Sequence, residues 1–87
     1  EERLIISVEP GEAIYLGKER VTIFDLRKRL YEAKLSNSLV SVYLRADSQI
    51  SYGRIVQIMD EVKKVGIERL GMVTTPNSKL IEEDISD

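Results

Sequence analysis

Histidine, cysteine and tryptophan are all missing from these 87 residues. Without cysteine there is neither a disulfide frame nor a thiolate metal site, and cysteine usage says nothing about the redox compartment. Without histidine the commonest general base and the commonest metal ligand disappear together. Basic charge is in short supply too: 13 Lys and Arg stand against 15 Asp and Glu, for a formal charge of −2. No field exists to hold a nucleic-acid backbone by counterion release, so nucleic acid is set aside as a partner. No stretch approaches the roughly 20 apolar residues of a membrane helix, and the opening residues show no signal-peptide pattern. The first residue is Glu1, not Met, which leads to the expectation of a piece cut from a longer protein.

What is present suits one small globular domain with a modest core. Hydrophobic residues make up 43% and charged residues 32%, with both signs mixed along the chain, which argues against disorder throughout. Leu4-Ile5-Ile6-Ser7-Val8 is a β-branched run closed by Pro10-Gly11, and it reads as a strand and a turn. Ala13-Ile14-Tyr15-Leu16 resumes the pattern, and Gly17-Lys18 supplies a turn before Glu19-Arg20-Val21. Thr22 is placed to cap a helix over 23–35, with Asp25 in its first turn and Ile23, Leu26, Leu30 and Ala33 at helical spacing. In 39–46, Val40, Val42, Leu44 and Ala46 alternate with polar residues, which predicts a strand with one buried face. Ser51 can cap a second helix whose stripe is Ile55, Ile58, Met59 and Val62, and Gly66 stands where a left-handed C-terminal cap is wanted. A final strand over 67–74 has Leu70 and Met72 on one face.

Two parallel strands joined through a helix form a right-handed crossover. The expected fold is therefore an α+β or α/β two-layer sandwich, a mixed sheet with two helices on one face. The expected division is a single domain over 1–76 and a mobile acidic tail over 77–87, able to dock through Leu80 and Ile81.

Catalytic chemistry finds little to work with. Asp25 is explained by helix capping, Asp47 by the turn after its strand, and Asp60 by its place beside the apolar stripe. Ser51 is separated from Lys63 and Lys64 by about 18 Å of helical rise, so no nucleophile and base meet there. The five glycines form no phosphate-binding pattern. For Gly53 and Gly71, both costly inside regular elements, a close backbone approach or a bulge is the plain explanation. Tyr43, on the outer face of its strand beside Arg45, is the most suggestive of the four tyrosines as a contact residue.

Arg45-Ala46-Asp47, Ile50-Ser51-Tyr52-Gly53-Arg54, Ile58-Met59-Asp60, Gly66-Ile67 and Leu70-Gly71-Met72-Val73-Thr74 follow one another in sequence. In order and spacing this set resembles the C-terminal half of the ExbD/TolR family domain. The family pattern runs R-A-D, a short spacer, a Tyr that opens a helix, M-D, G-[IV] and G-[LM]-V-T. The likeness is dense over 39–76 and weaker before it, where Ile14-Tyr15-Leu16 and Val21-Thr22 resemble the family's hairpin and helix start. Ser51 stands where many members carry Pro, and both residues suit a helix start.

The resemblance implies the periplasmic domain of a single-pass inner-membrane protein, with the membrane helix and its proton-responsive Asp lying outside this chain. Such a domain dimerises and binds without catalysing and without a cofactor or metal. The implied partners are an ExbB/TolQ-like proton-channel protein, reached through the membrane helix, a TonB- or TolA-like protein, and on the TolR branch peptidoglycan. The residues do not decide between the two branches. Candidate partner-binding residues are Tyr43, Arg45 and Asp47 on the strand and Tyr52, Ile55 and Met59 on the second helix, where Ile55 matches a functionally sensitive aliphatic position of the family. The alternative is an ACT-type or ferredoxin-like module binding a small molecule at a dimer interface.

Overall fold

A computed structural model describes residues 3–75. The expected tail over 77–87, with Leu80 and Ile81, lies outside them. Five strands and two helices follow in the order β1 (Arg3–Glu9), β2 (Ala13–Leu16), β3 (Glu19–Val21), α1 (Ile23–Ser36), β4 (Ser41–Asp47), α2 (Tyr52–Lys64) and β5 (Arg69–Thr75). The sheet order is β3-β2-β1-β4-β5. The β1–β2 and β2–β3 pairs are antiparallel, and the β1–β4 and β4–β5 pairs are parallel. The mixed sheet and paired helices are those the sequence led us to expect.

Local chemistry explains most of the boundaries. Pro10 and Gly11 make a tight turn in which the Glu12 N–H donates to the Glu9 carbonyl at 2.8 Å. Gly11 has φ 89° and Glu12 φ 68°, so a glutamate sits in the left-handed region that favours glycine. The Arg54 guanidinium donates to the Glu12 carbonyl at 3.1 Å, tying this turn to α2. Thr22 Oγ1 accepts from the Asp25 N–H at 3.0 Å and opens α1. Ser51 Oγ accepts from the Arg54 N–H at 3.2 Å and opens α2. At the other end of α2, Gly66 has φ 88° and its N–H donates to the Lys63 carbonyl at 3.0 Å, while the Ile67 N–H reaches the Val62 carbonyl at 3.4 Å. That paired pattern, with Ile67 and Val62 both buried, is the Schellman motif.

Two expected strands begin later than their apolar runs. The Val40 N–H donates to the Asn37 carbonyl and the Leu39 N–H to Asn37 Oδ1, both at 3.0 Å, so this stretch is a turn and Leu39 stays exposed. Ile67 is consumed by the cap of α2, and β5 starts two residues on. The explanation expected for Gly53 fails, because nothing lies within 4 Å of where its Cβ would be. At Gly71 the neighbour is a side chain and not backbone: the Tyr43 ring comes to 3.4 Å from the Cβ position.

One core lies between sheet and helices. Ile6 and Val8 of β1, Ile14 of β2 and Val42 and Leu44 of β4 meet Leu26 and Leu30 of α1 and Ile58 and Val62 of α2. Both parallel crossovers step along the sheet in the same direction, from β1 to β4 and from β4 to β5, so one handedness places both helices on one face. The element order β-β-β-α-β-α-β with adjacent parallel pairs is not the β-α-β-β-α-β order of a ferredoxin-like module, which removes the structural basis of that alternative. No helix among the described residues is long and apolar enough to cross a membrane.

Glu61 is buried beside this core, and the apolar stripe of α2 did not single it out. Arg27 of α1 grips it with two bonds, Nε to Oε1 at 2.6 Å and Nη2 to Oε2 at 2.8 Å. The hydrogen bonds from Arg27 hold the Glu61 carboxyl below its ordinary range, against the opposing effect of burial. The result is an ionic staple between the two helices.

Candidate partner-binding site

The side chains named from the sequence fall on two adjoining surfaces. Tyr43 and Arg45 alternate with buried Leu44, so they stand on the face of the sheet away from the helices. Tyr43 is 37% exposed. Its ring lies over Gly71 of β5, the residue opposite it in register, and under the Arg3 guanidinium, 5.0 Å from the ring centroid. Much of this tyrosine is therefore occupied in covering a glycine and holding an arginine by cation–π attraction. Arg45 borders a shallow hollow with Ser7, Glu9 and Asp47 at the carboxyl end of β1 and β4.

The other four meet in one place. Asp47, Tyr52, Ile55 and Met59 line a predominantly apolar groove between the start of α2 and the end of β4, completed by Ile50 and by Met72 of β5. Helical geometry brings Tyr52, Ile55 and Met59 together, since residues three and four apart share a face. Ser51, as the cap, fixes where that face begins. Ile55 is almost fully buried and forms the floor, Met59 is half-buried, and Tyr52 at 83% exposure stands at the rim. Asp47 belongs to both surfaces. Its Oδ1 accepts from the Gln49 N–H at 2.8 Å, so it builds the turn between β4 and α2 as well as bordering the groove.

Met72 is the residue that sequence reasoning left out. The alternation of the last strand placed it with Leu70, but its position in the groove depends on β4 and β5 being paired with Leu44 opposite Met72. Two methionines on facing walls make the groove soft, since an unbranched thioether can adapt to more than one partner shape. β5 also ends the sheet among the described residues. Groove and terminal strand adjoin.

In chemical terms the site offers apolar contact, one exposed aromatic ring and a carboxylate. Among the described residues no group of three or more His, Cys, Asp or Glu is placed to hold a metal ion.

Comparison with known proteins bears on the same residues. The family described as biopolymer transport protein ExbD/TolR matches residues 1–77. A biopolymer transport protein ExbD of Pseudomonas aeruginosa is 28% identical over 71 residues, which is 82% of this chain and 53% of that protein. The chain thus spans about half the length of that curated relative.

Proposed function

The chain belongs to the ExbD/TolR family of biopolymer transport proteins, and from that membership we propose that it is the partner-binding domain of a transport motor subunit driven by the proton gradient. It acts by binding and not by catalysis. In this reading it is the periplasmic part of an inner-membrane protein, works as a homodimer, and is joined through a membrane helix to an ExbB/TolQ-like proton-channel protein. Its envelope partner is a TonB- or TolA-like protein, with peptidoglycan as the further ligand on the TolR branch.

The observation that carries the reading is the apolar groove beside β5, the outermost strand among the described residues. An extended peptide that adds to β5 gains main-chain hydrogen bonds, and its side chains alternate between the groove side and the open face of the sheet. On one side they meet Met59 and Met72, on the other Val73, which is 45% exposed. Tyr52 closes the groove at its end. Main-chain pairing supplies affinity with little sequence demand, while the groove selects for an apolar residue at alternate positions.

An NMR titration of the isotope-labelled chain with a proline-rich TonB-type linker peptide, and separately with soluble peptidoglycan fragments, tests this. Amide shifts along β5 and around Met59 with the peptide are the expected result. Shifts with peptidoglycan alone would move the protein to the TolR branch, and silence with both would overturn binding at this site.

A further inference from the structure

The groove beside β5 has a direction. Asp47 and Tyr52 mark one end, and Ile55, Met59 and Met72 line the middle. Lys63, four residues past Met59 on α2, continues the same helix face at the other end. Read along its length, the groove is acidic, then apolar, then basic. Asp47 shares the hollow on the open face of the sheet with Glu9 and Arg45, two carboxylates to one guanidinium, so a further cation is matched there. Lys63 is exposed and makes no ion pair among the described residues: Asp60 and Glu68, near it in sequence, do not bridge to it, and Glu61 is held by Arg27.

β5 ends at Thr75, opposite Asp47 in register, so the chain leaves the sheet at the acidic end of the groove. Pro76-Asn77-Ser78 are turn residues, suited to a reversal. Lys79, then Leu80-Ile81, then Glu82-Glu83-Asp84 follow. Their order is basic, apolar, acidic, which complements the groove read from the same end. The lengths agree as well. From Tyr52 to Lys63 α2 rises about 17 Å, and an extended segment from Lys79 to Asp84 covers about 17 Å.

We propose that residues 79–84 of this chain dock back into the groove, with Lys79 against Asp47, Leu80 and Ile81 against Met59 and Met72, and the acidic run against Lys63. The link of residues 76–78 holds the segment at an effective concentration on the order of millimolar, so a contact of modest strength suffices. The same segment from a second copy lacks that advantage. Docked there, the segment excludes an extended partner from the groove, and the partner must displace it to bind. That consequence rests on the partner-binding function proposed above; the docking itself does not.

Both methionines of the chain line the groove, so a methionine-methyl-labelled sample reports on it with two signals. In the unaltered chain, nuclear Overhauser contacts are expected from the Leu80 and Ile81 methyls to Met59 and Met72. Leu80→Ser combined with Ile81→Ser should abolish them and move both methionine signals, while those of Val42 and Leu44 in the core stay in place. Lys63→Glu should lower the ratio of docked to undocked chain about fivefold, an ion-pair-sized effect. Absent contacts, or methionine signals that the double variant leaves unmoved, would overturn the proposal. So would contacts that appear only between copies in a mixed-label sample, since they assign the groove to a second copy. Titration with the TonB-type peptide separates the two readings: the double variant should bind it more tightly than the unaltered chain, whereas no binding to either, with the Leu80 contacts present, strikes the partner reading and leaves the docking standing.

Discussion

Glu61 has lost nearly all its water, and its charge is tolerated because Arg27 supplies two aligned donors from the other helix. Arg27 keeps about half its side chain in solvent, so the pair is worth less than a fully buried one. Glu61→Ala removes the carboxylate and leaves Arg27 free to hydrate; a loss of about 2 kcal/mol by denaturant unfolding is expected. Gly53 is the opposite kind of residue. It sits exposed in the first turn of α2 with open space around its missing Cβ. Gly53→Ala should therefore raise stability by about 0.5–1 kcal/mol, read as a shift in unfolding midpoint. Neither role was legible in the sequence: Glu61 differs from its exposed neighbour Asp60 only by pointing at α1, and Gly53 looked like a site of close approach until its surroundings were known.

α2 was the most legible element, because Ser51 and Gly66 signal its ends within a few residues of the backbone groups they satisfy. Gly66→Ala places a Cβ in the left-handed region, and a loss of about 1 kcal/mol is the expected outcome in thermal or denaturant unfolding. Strand starts were less legible: Leu39 and Ile67 each open an apolar run, yet Asn37 and the cap of α2 claim them for turns. For β5 the functional prediction concerns Met72. With Met72 49% exposed, Met72→Glu leaves the core intact and puts a charge in the groove. Affinity for a TonB-type peptide should fall about tenfold, measured by NMR or calorimetry, if β5 and its groove are the binding element. Tyr52, Ile55 and Met59 could be picked out as a cluster from helical spacing alone, whereas Met72 required the β4–β5 register.

For the molecule as a whole the Arg27–Glu61 staple links stability to acidity. The folded-state pKa of Glu61 is lowered from its ordinary 4.5, so its contribution is fully present above that value and is lost as pH falls through the lower folded-state value. Stability of the unaltered chain should decline on acidification below about pH 4.5 more steeply than that of Glu61→Gln, as measured by denaturant titration over a pH series. Parallel curves for the two proteins would show that the staple carries no such linkage. The family assignment is a whole-molecule property of another kind, since the match covers residues 1–77 and rests on no single motif. The sequence by itself determined the elements, their caps, the apolar faces and the family, because each depends on residues close along the chain or on their order. Only the tertiary structure decided that β5 is the outermost strand among the described residues, that Met72 and Met59 line one groove, that Tyr43 covers Gly71, and that Arg27 reaches Glu61. Each of those is a contact between separate elements, fixed by strand register and helix packing, and residue spacing carries no record of it.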